Sequence, residues 1–171
     1  MPPLTPDPHT GHGAPIGFVK IPGVKGESFA KGHEGEIEIV AMNMGAIHSP
    51  GASSSGPVRT KVSSSDVTFS AITSTASPQL FSKSVYGDKL DTVVLTLTET
   101  NGKEVWEYLT VTLTDAVITS YQANVAHSEA EPVDTVTFGF KKIEFKVVAS
   151  TQDHKPGPST VTNTDLAAHK K

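Results

Sequence analysis

A period of two in side-chain polarity is the feature that most limits how this chain can fold. Val93, Leu95 and Leu97 alternate with polar residues, and the apolar residues at 109, 111 and 113 alternate with threonines. This pattern is typical of β-strands with one buried face. Between the two runs lies Asn101-Gly102, which favours the type I′ turn of a hairpin. We therefore predict a β-hairpin over residues 92–114, and a further strand over residues 116–123.

Two segments change the parity of this alternation. In residues 36–44, Ile37 and Ile39 share one face, whereas Met42 and Met44 share the opposite one. Residues 135–148 show a similar change around Lys141. Such a change requires a β-bulge or a strand that leaves one sheet and enters another. The chain is therefore predicted to be mainly β, with bent strands shared between two sheets of a barrel or a sandwich.

One short α-helix is predicted to interrupt the strands. Ser77 suits the N-cap, Pro78 suits the first helical position and Gly87 suits the C′ position. A helix of this length is marginal alone, so its apolar stripe must pack on the sheets. The residues predicted to do so are Leu80, Phe81 and Val85.

The two ends of the chain differ from the middle in composition. Residues 1–15 are rich in Pro, Gly and His, and residues 150–171 are polar with a Pro-Gly-Pro sequence at 156–158. Neither end has enough apolar surface to offset the entropy of ordering. We predict a disordered leader at 1–15, one compact domain at 16–149 and a flexible polar tail at 150–171.

Composition excludes several classes of protein. The net charge is −4 and Arg59 is the single arginine, so the clustered cations of a nucleic-acid binder are absent. The chain has no cysteine, which excludes disulfides and thiolate chemistry. Apolar runs are too short for a membrane span, and the first residues lack a signal-peptide core. We expect synthesis in the cytoplasm and export, if any, without a cleaved leader.

Residues that could carry catalysis are few, and each has a plainer explanation. His9 and His12 could bind a metal weakly but lack a third ligand nearby. Glu36 and Glu38 are spaced like a glycosidase carboxylate pair, yet alternation with isoleucines is more typical of a solvated strand face. No G-x-S-x-G sequence is present. We predict that the protein is not an enzyme and uses no metal or cofactor.

The polar strand faces are rich in Thr and Ser and carry few charges. Such strands favour edge-to-edge pairing with other copies, although Thr also favours strands for its shape alone. Trp106 and Tyr108 share a face opposite Leu109. They belong either to a second buried layer of the core or to a contact between subunits.

Five segments, in this order and spacing, carry a resemblance to a known family. They are GESFAKGHEGEIEIVAMNMG at 26–45, VSSSDVTFS at 62–70, SPQLFSKSVYG at 77–87, EYLTVTLTDAVITS at 107–120 and DTVTFGFKKIEFKV at 134–147. Together they resemble the haemolysin-coregulated protein (Hcp) family of type VI secretion, over about residues 16–149. Met42 and Met44 stand where the family commonly has aromatic side chains, and the leader and tail lie outside its usual pattern.

The resemblance implies a small β-barrel of two antiparallel sheets with bent strands and one short flanking helix. It implies a homohexameric ring, and rings that stack into a hollow tube with sheath and spike proteins as partners. It also implies small effector proteins carried in the lumen, and a protein secreted from the bacterial cytoplasm. The chain is then either the main tube subunit or a specialised paralogue.

The resemblance also implies roles for particular residues. The position of Asn43 faces the lumen and the cargo in the family. The loop around Ser53, Ser54 and Ser55 matches an extended loop that reaches an adjacent ring or subunit. Gly26, Glu27 and Ser28 form the family's signature turn, which serves either subunit contacts or the turn itself.

Two further interpretations of the sequence stay open. One is a tail-tube protein of a phage-like contractile particle, which shares the architecture but not the Gly-Glu-Ser signature. The other is a monomeric β-sandwich binding module, for which exposed rows of aromatic residues would be expected.

Overall fold

The computed structural model describes residues 16–50, 60–125 and 131–166. Its elements are β1 (Gly17–Lys20), β2 (Ile37–Ile39), β3 (Ala41–Pro50), β4 (Thr60–Ile72), α1 (Ser77–Tyr86), β5 (Leu90–Thr100), β6 (Val105–Asn124), β7 (Val133–Gly139), β8 (Lys142–Ser150) and β9 (Pro156–Asp165). The predicted mainly β fold with one short helix is confirmed. Within the described stretches, no helix combines the length and the apolar character needed to cross a bilayer.

The strands form two antiparallel sheets that share β6. The first sheet has the order β2-β1-β5-β6-β8-β9, and the second has the order β6-β7-β4-β3. The first half of β6 pairs with β5 and β8, and the second half pairs with β7. Asp115 lies at the change of sheet with a φ of 53°. The predicted strand at 116–123 is therefore the continuation of one long bent strand.

Both changes of parity mark a passage between the sheets, as predicted. β2 pairs with β1 in the first sheet, whereas β3 pairs with β4 in the second, and Val40 is the residue between them. In the same way β7 belongs to the second sheet and β8 to the first, separated by Phe140 and Lys141. A short break lets each strand present its apolar side to the same core.

The core lies between the two sheets. Leu95 and Val111 from the first sheet are fully buried, as are Phe69 and Phe138 from the second. The two phenylalanine rings are 5.8 Å apart. Burial of each such side chain stabilises the fold by roughly 1.5–3 kcal/mol. The apolar residues that alternate with polar ones over 93–97 and 111–113 are the side chains that face this core.

The predicted β5–β6 hairpin is confirmed, but its turn differs from the predicted type I′. Of the Asn-Gly pair only Gly102 has a positive φ, of 84°, whereas type I′ needs positive φ at both residues. The Asn101 side-chain oxygen accepts hydrogen bonds from the backbone N–H groups of Lys103 and Glu104, at 3.0 and 2.8 Å. These bonds stabilise a longer connection over residues 101–104.

The helix α1 forms where predicted, but with a different start and a different packing face. Its N-cap is Ala76, not Ser77, and Gly87 ends it in the left-handed conformation with a φ of 64°. Leu80 is buried, whereas Phe81 and Val85 are 55% and 63% exposed. Phe81 still contacts the sheet, because its ring lies edge-on to that of Tyr121 of β6 with 5.8 Å between the ring centres. The predicted packing is therefore confirmed for Leu80, only partial for Phe81 and wrong for Val85. The buried stripe runs instead through Ala76 and Leu80, four residues apart, because one helical turn places such residues on one face.

The predicted flexible tail is also corrected for part of its length. Residues Pro156–Asp165 form β9, which pairs with β8 along its length. Strand pairing uses backbone hydrogen bonds, so a strand can form without alternating apolar side chains. In β9, Thr160 and Thr162 lie opposite Val147 and Phe145 of β8. Pro156 is tolerated because β9 is an edge strand. The predicted leader at 1–15 lies outside the described residues.

Candidate functional site

Asn43 lies on β3, on the outer face of the second sheet. Its neighbour Met42 packs against the core, and Asn43 stands opposite Thr68 of β4 with its side chain exposed. Alternation along β3 therefore turns Asn43 away from Met42, as the sequence predicted. The residues that line a shallow depression here are Asn43, Gly45, Ile47, Asp66 and Thr68.

Hydroxyl groups continue this outer face across β4 and β7. Thr68 Oγ1 lies 3.0 Å from Thr137 Oγ1, and Ser70 Oγ lies 3.3 Å from Thr135 Oγ1. We call Asn43, Thr68, Ser70, Thr135 and Thr137 the hydroxyl face. Because its five members are uncharged and polar, they can exchange hydrogen bonds with a passing molecule, and Asp66 beside them adds one carboxylate to this surface.

The predicted loop around Ser53, Ser54 and Ser55 lies outside the described residues. The strands on either side are longer than the sequence indicated, since β3 continues to Pro50 and β4 begins at Thr60. Their pairing runs from Ala41 opposite Ser70 to Pro50 opposite Thr60. The predicted loop therefore joins the end of a long hairpin.

The signature turn is held by contacts within the chain. Gly26 is needed because a Cβ there would lie 2.2 Å from the carbonyl oxygen of Glu36. Glu27 Oε1 accepts a hydrogen bond from Thr75 N at 3.1 Å, which ties the turn to the residues before α1. Ser28 is buried, and its hydroxyl accepts from Ala30 N at 3.1 Å. These contacts support the interpretation of the signature as turn structure.

His33 completes the loop that the signature begins, and the sequence alone did not indicate its role. Its ring stacks on Phe18 with 4.2 Å between the ring centres. Its Nδ1 lies 2.8 Å from Glu36 Oε2, and its Nε2 lies 3.6 Å from Glu107 Oε1. The loop over residues 25–36 thus closes over the outer side of β1, and Glu36 pairs with His33 instead of acting with Glu38 as a pair of acids.

A buried carboxylate connects the start of α1 to the second sheet. Asp134 of β7 is 1% exposed and accepts hydrogen bonds from the hydroxyls of Thr73 and Ser77, the first at 2.8 Å. Burial, followed by the Asp134 carboxylate nearby, raises the pKa of the Tyr121 hydroxyl above its usual 10.0. This network explains why Ser77 is buried without capping the helix.

The two aromatic residues of β6 have different environments. Tyr108 packs against the core cluster, which favours the interpretation as part of a buried layer. Trp106 is partly buried, and its Nε1 has no hydrogen-bond partner within the described residues. The described part of the chain contains no group of three or more His, Asp or Glu side chains that could hold a metal ion, and His9 and His12 lie outside it.

Comparison with known proteins places this architecture among secretion proteins. Residues 18–147 match the family described as type VI secretion system effector, Hcp. A solved type VI secretion system effector from Yersinia pestis is 28% identical with a TM-score of 0.67, over 87% of this chain and 98% of that one. Hcp1 from Salmonella typhimurium is 24% identical with a TM-score of 0.71, over 90% and 96% of the two chains. No curated protein matches the sequence significantly.

The family match covers most of the chain and includes the signature turn, Asn43, α1 and the bend of β6. The second structural similarity, being below 25% identity, adds support for the fold alone. The family consists of structural tube proteins and is not a family of enzymes. This chain therefore belongs to the Hcp family of type VI secretion system effectors.

Proposed function

We propose that the chain is a subunit of the inner tube of a type VI secretion machine. Six copies form a ring, and rings stack into a hollow tube inside a sheath and beneath a spike. The tube leaves the bacterial cytoplasm carrying small effectors in its lumen. The observation that carries this proposal is the family match over residues 18–147, which spans both sheets and all but the last strand and the ends of the chain. That match also favours a secretion tube over a phage tail tube or a monomeric binding module.

The hydroxyl face supports a role as lumen wall. A wall that carries cargo and then releases it needs many weak contacts and no strong anchor. Asn43, Thr68 and Thr137 offer short, neutral hydrogen-bonding groups, and the hydroxyls already satisfy one another across the strands. Each added bond to a protein cargo is worth about 1 kcal/mol, so affinity depends on fit along the whole face.

The loop around Ser53, Ser54 and Ser55 is proposed to contact the adjacent ring or subunit. The β3–β4 hairpin that presents it is paired from Ala41 to Pro50 on one strand and from Thr60 to Ser70 on the other. A paired hairpin of this length can carry a loop away from the body of the domain.

The test of the lumen assignment is the substitution of Asn43 by a bulky side chain. Asn43→Trp on an exposed strand position leaves the core and the ring intact, but it obstructs the lumen wall six times over in each ring. We expect retention of effectors co-expressed from the same secretion system to fall by about tenfold or more, a change of ~1.4 kcal/mol per factor of ten. Retention is measured by co-purification, and ring formation by negative-stain imaging.

The matched control is Thr92→Trp, which places the same side chain at an exposed position on β5, an inner strand of the other sheet. This variant is expected to form rings and to retain cargo. Intact rings of Asn43→Trp with unchanged cargo retention would contradict a lumen position for Asn43.

A further inference from the structure

Asn101 lies in the exposed connection between β5 and β6, and a glycine follows it. The other asparagines of the chain, at 43, 124 and 163, are followed by Met, Val and Thr. A backbone nitrogen can attack the side-chain carbonyl carbon of the asparagine before it, and a side chain on the attacking residue hinders this approach. Gly102 has no Cβ and causes no such hindrance. Asn101 is therefore the asparagine that its own backbone attacks most easily.

The hydrogen bonds of the turn favour this attack. The Asn101 Oδ1 atom accepts from Lys103 N at 3.0 Å and from Glu104 N at 2.8 Å. Attack on Cγ shifts negative charge onto this oxygen, and backbone donors already aimed at it stabilise that charge, as they do in acyl transfer. Gly102 N donates to Thr100 Oγ1 at 3.0 Å, so an acceptor lies beside the proton that this nitrogen must lose.

The other atom of the Asn101 amide joins two turns of the fold. Its Nδ2 donates a hydrogen bond to the backbone oxygen of His154 at 3.0 Å. Because His154 lies between β8 and β9, this bond ties the end of one hairpin to the end of the next. The partners fix the orientation of the amide, since its oxygen faces two N–H donors and its nitrogen faces a carbonyl.

The β8–β9 turn that accepts this bond has few other restraints. His154 adopts a φ of 51°, a region that residues with a Cβ enter only with strain. Within the turn, Thr151 N donates to Lys155 O and His154 N donates to Thr151 O, both at 2.9 Å. These residues are exposed, so their bonds open locally more often when the tie to Asn101 is lost.

We propose that Asn101 is a site of spontaneous deamidation, and that the reaction releases the β8–β9 turn. The Gly102 nitrogen gives up its proton and bonds to Cγ of Asn101, while the bond from Cγ to Nδ2 breaks and Nδ2 leaves with a proton as ammonia. Solvent water then opens the cyclic imide at either carbonyl, which leaves aspartate or isoaspartate at position 101. Neither product has the N–H donor, and a carboxylate oxygen repels the carbonyl oxygen of His154. The modification accumulates with time and does not depend on the tube function.

Peptide mapping of the aged full-length protein tests the site. The purified chain is kept in a mildly alkaline buffer, and digests taken at intervals are analysed by mass spectrometry for the exchange of NH₂ for OH. We expect Asn101 to react about tenfold faster than the asparagines at 43, 124 and 163, a difference of about 1.4 kcal/mol in activation free energy. These three are controls within the same sample. Equal rates at all four positions, or an Asn101 that does not react, overturn the site.

The products identify the attacking atom. A cyclic imide opens to both aspartate and isoaspartate, which electron-transfer fragmentation distinguishes, whereas direct attack by water on Asn101 gives aspartate alone. Aspartate alone would therefore overturn attack by the Gly102 nitrogen. Gly102→Ala gives a second reading, since its Cβ meets no atom within 4 Å although the φ of 84° strains it. We expect this variant to react about tenfold more slowly, with circular dichroism as the check on folding.

Asn101→Asp tests the release of the turn without waiting for the reaction. Hydrogen exchange at the backbone amides of Thr151 and His154 is expected to be about fivefold faster than in wild type, because the turn has lost a hydrogen bond. The matched control is Gln152→Glu, which makes the same amide-to-acid change at an exposed position of the turn and keeps the tie. This control is expected to exchange like wild type. Equal exchange in Asn101→Asp and Gln152→Glu overturns the release of the turn.

Discussion

At the scale of single residues, Asp134 is the group on which the packing of α1 depends most. It is a carboxylate with 1% exposure that accepts hydrogen bonds from Thr73 and Ser77, and so joins β7 to the residues around the start of α1. A buried acceptor of this kind stabilises the fold only while its donors are present, because desolvation of the charge is already unfavourable.

Substitution of Asp134 is expected to destabilise the fold clearly. Asp134→Asn keeps one acceptor oxygen but points an N–H₂ group at hydroxyl donors, so we expect the free energy of unfolding to fall by about 2 kcal/mol. The exposed Asp153→Asn is expected to stay within about 0.5 kcal/mol of wild type. Urea unfolding at neutral pH measures both, and equal stabilities of the two variants would contradict the role of Asp134.

At the scale of elements, the bend of β6 decides how the two sheets are joined. Asp115 adopts a φ of 53°, a region that side chains with a Cβ enter only with strain. Lys89 Nζ lies 2.7 Å from Asp115 Oδ1, and Lys141 Nζ lies 3.7 Å from Oδ2. The bond with Lys89, more than the charge of Lys141, lowers the pKa of the Asp115 carboxyl below its usual 3.8.

Two variants are expected to distinguish the effect of the Asp115 backbone conformation on stability from the effect of its charge. Both Asp115→Ala and Asp115→Gly lose the ion pairs, but only the alanine keeps a Cβ at positive φ. We therefore expect the urea midpoint of Asp115→Ala to lie below that of Asp115→Gly. Equal midpoints would show that the positive φ carries no strain.

The same variants give the pH dependence of the ion pair. A carboxyl with a lowered pKa in the folded state contributes stability above its unfolded value of 3.8 and loses it as the pH falls through the folded value. The stability of wild type relative to Asp115→Gly is therefore expected to decrease when the pH falls from neutral to below 3.8. Urea titrations at both pH values measure this difference.

The elements also show why some could be predicted from the sequence and others could not. The passages between sheets at Val40 and Phe140 follow from parity, which is a local property of the chain. β9 is held by backbone bonds to β8, so its polar residues gave no apolar pattern to detect. In α1 the apolar residues Leu80, Phe81 and Val85 span two adjacent stripes, and only the position of the sheets decides which stripe is buried.

The candidate site, too, could be predicted from the sequence only in part. That Asn43 faces away from Met42 followed from alternation along one strand. The contacts of His33 with Phe18 and Glu107, and of Glu27 with Thr75, join residues far apart in sequence, so no spacing indicated them.

At the scale of the whole molecule, one copy has surfaces that the fold itself leaves without partners. Two long sheet edges, at β3 and β9, are open in the described part of the chain. Phe29, Phe81 and Val85 are more than half exposed. Open edges and exposed apolar side chains are liabilities in a protein that acts alone, whereas a protein that assembles with its own copies covers them. These uncovered surfaces are the physical reason to expect that the chain assembles with its own copies.

The mass of the purified full-length chain in solution tests that claim most directly. Light scattering over a range of concentrations, with native mass spectrometry as a second reading, counts the copies in each particle. The account predicts particles of six chains and multiples of six as rings stack. Particles of a single chain at every concentration would contradict it.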